Sequence, residues 1–119
     1  MSLHDRPTAA ELVEAVREYL ERDVMASTEG RVAFHARVAV NVLGMVEREL
    51  ELGAGQDEAE HARLVALLGH DGTLQDLTAL LAGEIRRGAM DGRWSETVEH
   101  VRATVRAKLE VANPRYLDA

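Results

Sequence analysis

Residues 8–113 contain no proline; the chain's two prolines are Pro7 and Pro114. Proline breaks a helix interior because it lacks the amide proton and its ring clashes with the carbonyl four residues back. A proline-free stretch of this length, built mainly of Ala, Leu, Glu and Arg, favours helix throughout. Val-rich patches occur, but they keep helical period and nowhere alternate over a whole segment, so no strand competes.

Five helices are expected. Thr8 caps the first, with Glu11 at capping-box spacing, and its apolar stripe is Leu12, Val16, Tyr19, Leu20 and Val24. Glu14–Arg17 and Glu18–Arg22 are expected as solvent-side pairs. The chain breaks around Gly30. The second helix covers about 31–52 and stops at Gly53, "GAGQDE" forming a loop; the third covers about 57–68 and stops at Gly69. "GHDG" makes a turn. The fourth starts near Thr73, with Asp76 three residues on, and ends on Arg86, Arg87 and Gly88, cations and a glycine suited to a helix C-terminus. The fifth opens at a Ser95 cap, Trp94 reaching Val98 as a hydrophobic staple. Its stripe is Val98, Val101, Val105, Leu109 and Ala112, and Pro114 ends it. Short loops favour antiparallel neighbours. The expected fold is all-α: one compact antiparallel bundle of about five helices, a single domain over 1–119 with the second helix central. Residues 1–7 form an arm, whose first three residues have the look of an expression remnant, and 113–119 form a tail in which Tyr116 and Leu117 fold back onto the last helix.

Charge and composition remove several function classes. The net charge of −7, with arginines scattered among carboxylates, repels phosphate backbones, so no nucleic acid partner is expected. The segment "LQDLTALLAGEIRR" would make a poor recognition helix: its cations lie at the C-terminal end and Asp76 sits in the turn that should face bases. No apolar run approaches a membrane span and no secretory h-region is visible. The chain has no cysteine, which rules out disulfides and thiolate metal sites and suits a reducing cytoplasm. "GAG" at 53–55 lacks the Lys and Ser/Thr of a phosphate loop, and no cofactor is expected.

The most unusual stretch is "FHARVAVNVLGMVEREL", residues 34–50. On a helical wheel Val32, Ala36, Ala39, Leu43, Val46 and Leu50 make one apolar face, and Phe34, Val38, Val42 and Met45 a second band. So wide an apolar arc belongs either to the centre of a bundle or to a contact with a second subunit. His35 projects inside the arc, between Val42 and Val46. Arg37, Asn41, Gly44 and Arg48 follow one another at spacings of four, three and four, a polar stripe in which Gly44 would let a backbone or ligand approach. A core histidine bonded to a carbonyl, arginines paired with glutamates and a close helix crossing at Gly44 account for this set. The alternative is a small pocket for an anion or a carbonyl group, with Arg37 and Arg48 as forked donors, Asn41 as an amide and His35 as a proton-transfer group. No nucleophile–base pair accompanies them, so no catalytic residue is assigned.

Asp57–His61 and Glu96–His100 have the four-residue spacing of helix-borne metal ligands, but without a Glu-x-x-His motif they read as chance spacing on exposed faces, and no metal site is expected. His70-Asp71 reads as turn chemistry. "NPRY", residues 113–116, matches an Asn-Pro-x-Tyr ligand pattern and reads as a coincidence at a helix end.

The blocks "DRPTAAELVEAVREYL", "RVAFHARVAVNVLGMVERELELG" and "VRATVRAKLEVANPRYL" resemble a family of small bacterial helical proteins catalogued as a domain of unknown function; residues 54–94 match it only loosely. The motif positions are Asp5, Arg6, Pro7, His35, Arg37, Asn41, Arg48, Asn113, Pro114, Arg115 and Tyr116. Members look to be encoded beside aminoglycoside-phosphotransferase-like kinases and acyl-CoA dehydrogenases. The resemblance therefore implies an accessory protein of acyl-CoA or small-molecule phosphotransferase metabolism. The expected function is a non-enzymatic interaction protein with a protein partner or a second copy of itself, the small-ligand pocket on the second helix being the alternative.

Overall fold

The computed structural model describes residues 3–118. Met1 and Ser2 of the expected N-terminal remnant, and Ala119 at the end of the expected tail, lie outside the described residues. Regular structure among those described is helical throughout: α1 (Ala9–Tyr19), α2 (Met25–Ser27), α3 (Gly30–Leu68), α4 (Leu74–Arg86) and α5 (Trp94–Ala112). A π-helical turn, Leu20–Val24, joins α1 to α2, and 3-10 turns lie at Asp91–Arg93 and Pro114–Asp118. The all-α class is therefore observed. The expected bundle of five helices is not, because α2 is a single turn continuing α1 and the expected second and third helices are one.

That fusion occurs at Gly53. Positive φ marks the glycines that follow helix ends, Gly69 and Gly88, and also Gly30 at the start of α3; Gly53 and Gly55 are helical. Each interior glycine costs about 1 kcal/mol relative to Ala. Here Glu49–Leu52 before them and Ala54, Gln56, Glu58, Ala59 and Glu60 after them are strong helix formers that carry the helix through. A glycine stops a helix when the residues beyond it cannot continue the helix, and those beyond Gly53 can.

The chain forms two compact units, one ending at Gly53 and one beginning at Ala54. In the first, the expected capping box is present: Thr8 Oγ1 accepts from the Glu11 amide at 3.1 Å and Glu11 Oε1 accepts from the Thr8 amide at 2.9 Å. Arg6 adds a 2.6 Å bond to the other Glu11 oxygen. Val13, Arg17, Leu20 and Val24, spaced four, three and four, are the half-buried face of this helical run. Of the expected stripe, Leu20 and Val24 lie on this face, whereas Leu12, Val16 and Tyr19 are exposed. Arg17 accordingly turns inward. Instead of pairing with Glu14 it donates to Glu47 at 2.5 Å, with Glu21 at 3.6 Å. The Glu18–Arg22 pair forms as expected, at 3.7 Å.

The second unit holds the enclosed core: Leu64 and Leu67 of α3, Leu77 and Leu81 of α4, and Met90, flanked by Val65, Leu68, Leu74 and Ile85. Its helix ends follow the chemistry expected of them. Gly69 closes α3 at φ +82. Thr73 caps α4 by accepting from the Asp76 amide. Gly88 ends it in a Schellman arrangement, with Ala89 N–H bonded to Glu84 O and Gly88 N–H to Ile85 O. The start of α5 departs from expectation. Trp94 is its first residue, 54% exposed, and Ser95 provides no cap; instead Thr97 Oγ1 donates to Arg93 O at 2.9 Å. Arg93 itself donates to the Leu67 carbonyl at 2.5 Å, placing a cation on the C-terminal turn of α3, where the helix dipole favours it.

The face that α5 buries is also not the one expected. Thr97 and His100 are buried and Ala103, Thr104 and Ala107 half-buried; of the expected stripe Val98 and Leu109 are half-buried, whereas Val101, Val105 and Ala112 are exposed. The reason lies on α3. Gln56 Nε2 donates to Ala107 O at 2.9 Å, the Thr104 hydroxyl donates to the Glu60 carboxylate at 2.7 Å, and Arg93 reaches Leu67 O. These partners run in opposite order along the two helices and form a polar seam, so hydrogen bonding rather than apolar content selects the inner face of α5. In the tail, Tyr116 is exposed and does not fold back as expected, while Leu117 and Pro114 are half-buried.

Candidate functional site

The residues of the expected second helix fall on the first half of α3. Of its two apolar bands, the first is turned inward along its middle, where Ala36 is buried and Ala39, Leu43 and Val46 are half-buried, while its ends, Val32 and Leu50, are exposed. The band of Phe34, Val38, Val42 and Met45 is exposed, Phe34 at 63%. The helix is thus covered on one face and open on the other rather than central. His35 is exposed, not embedded in a core, and its ring meets Phe34 edge-on with centroids 5.5 Å apart.

Arg37 and Asn41 are exposed and Arg48 is half-buried. Gly44 has a specific tenant. A Cβ at that position would lie 3.3 Å from a terminal guanidinium nitrogen of Arg48, so the space the glycine leaves is taken by Arg48, one helical turn on. Of the terminal motif residues, Arg6 serves the Glu11 cap, Asp5 and Arg115 are exposed, and the Asn113 amide closes α5 on Leu109 O at 2.8 Å.

A cavity of about 450 Å³ lies in the second unit, between α3 and α5. Ala66, Leu67 and Ala103 give it apolar walls; Arg63, Glu99 and His100 supply polar groups. The alanines make the space, since larger side chains there would fill it. His100 is 8% exposed. Its Nε2 lies 3.3 Å from Glu60 Oε1, and a carboxylate oxygen beside a ring nitrogen favours the tautomer with the proton on that nitrogen. Burial pushes the His100 pKa down, against the opposing charge of Glu60 and together with Arg63, so the imidazole is neutral and Nδ1 is an acceptor. Glu60 is the hub: it takes the Thr104 hydroxyl at 2.7 Å and Arg63 at 3.2 Å as well. Two buried nitrogens, His100 Nδ1 and Arg63 Nε, have no hydrogen-bond partner among the described residues.

This cluster is not legible in the Glu96–His100 spacing, which reads as a pair on an exposed face. Glu96 is exposed and bonded to Arg93 at 2.7 Å, but His100, four residues on, is buried. The available signal was the run Thr97, His100, Thr104 at spacings of three and four, a polar face facing Gln56 and Glu60 at a spacing of four. The other expected pair separates too: His61 Nε2 lies 3.0 Å from Asp71 Oδ1 and 2.9 Å from Gly72 O, tying α3 to the turn before α4. No group of three or more metal-ligating side chains occurs among the described residues, and no described helix is long and apolar enough to cross a membrane.

Residues 26–116 match a family described as a domain of unknown function (DUF6285). The chain belongs to this family. The matched region takes in α3, α4 and α5 and therefore both the open band of α3 and the His100 cavity, while the whole of α1 precedes it. No curated protein and no solved structure matches the chain.

Proposed function

We propose that this member of the DUF6285 family is a non-enzymatic interaction protein that self-associates through its first unit and acts as an accessory to another protein. The observation that carries this reading is the open band Phe34, Val38, Val42 and Met45 on α3, together with the exposed stripe Leu12, Val16 and Tyr19 on α1. Single exposed apolar residues are ordinary; contiguous bands of them on a monomer mark contact surfaces. A two-helix unit has one seam and no enclosed interior. Two such hairpins packed on each other make a four-helix bundle, the simplest arrangement that encloses helix faces of this kind. His35, Arg37 and Asn41, which border the band in sequence, then form the polar rim of the contact rather than a pocket. The setting in acyl-CoA or small-molecule phosphotransferase metabolism rests on the gene neighbourhood that the family resemblance implies.

Light scattering after gel filtration tests the proposal. A dimer is expected for the natural sequence, and a monomer of unchanged helical circular dichroism for Phe34→Glu combined with Val38→Glu. A natural chain that stays monomeric at about 100 µM, far above the Kd of an ordinary dimer interface, overturns it.

A further inference from the structure

Arg31 and Glu49 bound the open band of α3 at its two ends, and both are exposed. Neither side chain has an ion pair or hydrogen bond among the described residues. They are eighteen positions apart, which is five turns of an α-helix, so they share one line of the helical wheel. That line runs between Val38 and Val42, down the middle of the band. The band thus has a cation at one end, an anion about 27 Å away at the other, and apolar side chains between. This order is directional. A second copy laid parallel on it sets Arg31 against Arg31 and Glu49 against Glu49, and the like charges repel. A second copy laid antiparallel, with the two-fold axis level with Val40, sets each Arg31 against the partner's Glu49 and each Val38 against the partner's Val42. Phe34 then meets the partner's Met45, a favourable ring–thioether contact. The place of Arg31 on its helix agrees. It stands in the first turn of α3, which has no acidic residue of its own and where the helix dipole disfavours a cation. The partner's Glu49 brings to that turn the anion that the dipole favours.

We propose that two copies of this chain pair antiparallel along the open band of α3, in the register that closes two Arg31–Glu49 ion pairs across the two-fold axis. The pairing rests on the self-association proposed above and adds to it a direction and a register. Apolar side chains supply the contact, and the charges at its ends exclude the parallel arrangement. They also fix the register, because a slip of one turn, about 5 Å, parts both pairs.

The chain has no cysteine, so an introduced one reports alone. Arg31→Cys and Glu49→Cys are made separately in the full chain, one of them carrying a size tag, and treated with a short bismaleimide singly and as a mixture. The mixture is expected to give a covalent mixed dimer. Each variant alone is expected to give none, since like positions lie about 27 Å apart in the antiparallel pair. Charge reversal reads the same contact without cysteine. Arg31→Glu and Glu49→Arg are each expected to weaken the dimer roughly tenfold, and the doubly reversed chain to return to within about threefold of the natural Kd. Cross-linking of either cysteine variant alone, no cross-linking in the mixture, or a doubly reversed chain that binds no better than the single ones overturns the antiparallel register. Light scattering on the natural chain separates this from the broader reading: a dimer there leaves self-association standing, and a monomer overturns both.

Discussion

Arg17 Nε donates to Glu47 Oε1 at 2.5 Å, joining two residues thirty positions apart across the first unit. Both side chains are mostly buried, at 23% and 17% exposed, in a unit with little apolar interior. A charge-assisted bond in such a place contributes more than a surface pair. Glu47→Ala leaves the guanidinium with only the more exposed Glu21 and is expected to destabilise the unit by about 1–2 kcal/mol. Glu14→Ala, which removes the partner that sequence spacing suggested, is expected to change stability by less than about 0.5 kcal/mol. Urea denaturation followed by circular dichroism checks both, and equal effects from the two variants would refute the assignment.

His100 predicts a pH dependence. Its folded pKa lies below the ordinary 6.5 because burial disfavours the imidazolium, Arg63 adding to this and Glu60 opposing it; Glu99 and Glu96 line the same cavity from its own helix. The unfolded chain therefore binds the proton more readily than the folded one. The contribution of neutral His100 is fully present above about 6.5 and is lost as pH falls from there through the folded pKa. Melting temperature should decline through that interval, and His100→Gln should decline less steeply. Two parallel curves would remove His100 as the cause.

Near the N-terminus the sign follows a carboxylate. The Glu11 pKa is lowered to about 2, first by its bond to Arg6 and next by the Thr8 amide. The capping contribution is present above the ordinary carboxylate pKa and fades as pH drops through about 2. In a ¹³C-detected titration the Glu11 carboxyl is expected to have its midpoint near 2, and Arg6→Ala to move it up toward the ordinary 4.5. A Glu11 midpoint unmoved by that variant would show that Arg6 does not hold the carboxylate down.

What the sequence made legible divides by range. Thr8–Glu11, Thr73–Asp76, Gly69 and Gly88 were readable because a cap is settled within four or five residues, by groups that have no better partner. The inner faces of α1 and α5 were not. On α1 an apolar stripe, Leu12, Val16 and Tyr19, competes with a mixed face containing Arg17, and Glu47 decides between them from thirty residues away. On α5 the valines make the stronger apolar stripe, but Gln56, Glu60 and Arg93 bond to the seam that carries Thr97, His100 and Thr104. The His100 cluster was hidden for the same reason: a histidine reads as exposed until its carboxylate partner is found on another helix. The second-helix arc was legible as two bands, and sequence alone could not say which one the chain covers by itself.

The continuity of α3 through Gly53 and Gly55 gives the sharpest test, because the loop expected from "GAGQDE" and the helix observed make opposite predictions. In a helix, alanine is favoured over glycine by about 0.5–1 kcal/mol at an unobstructed position. A Cβ at Gly55 meets nothing within 4 Å, and one at Gly53 meets only Glu49 Cγ at 3.7 Å, an ordinary contact. Gly53→Ala and Gly55→Ala should each stabilise the chain by that amount, raising the melting temperature by a few degrees, and the double variant should approach the sum. In a loop that uses a left-handed glycine at 53, the same substitution would strain the backbone and lower the melting temperature. Gly69→Ala, at a position with φ +82, supplies the control, since there the expected change is destabilising. A fall in melting temperature for Gly53→Ala comparable to that for Gly69→Ala would mean that α3 stops where the sequence suggested.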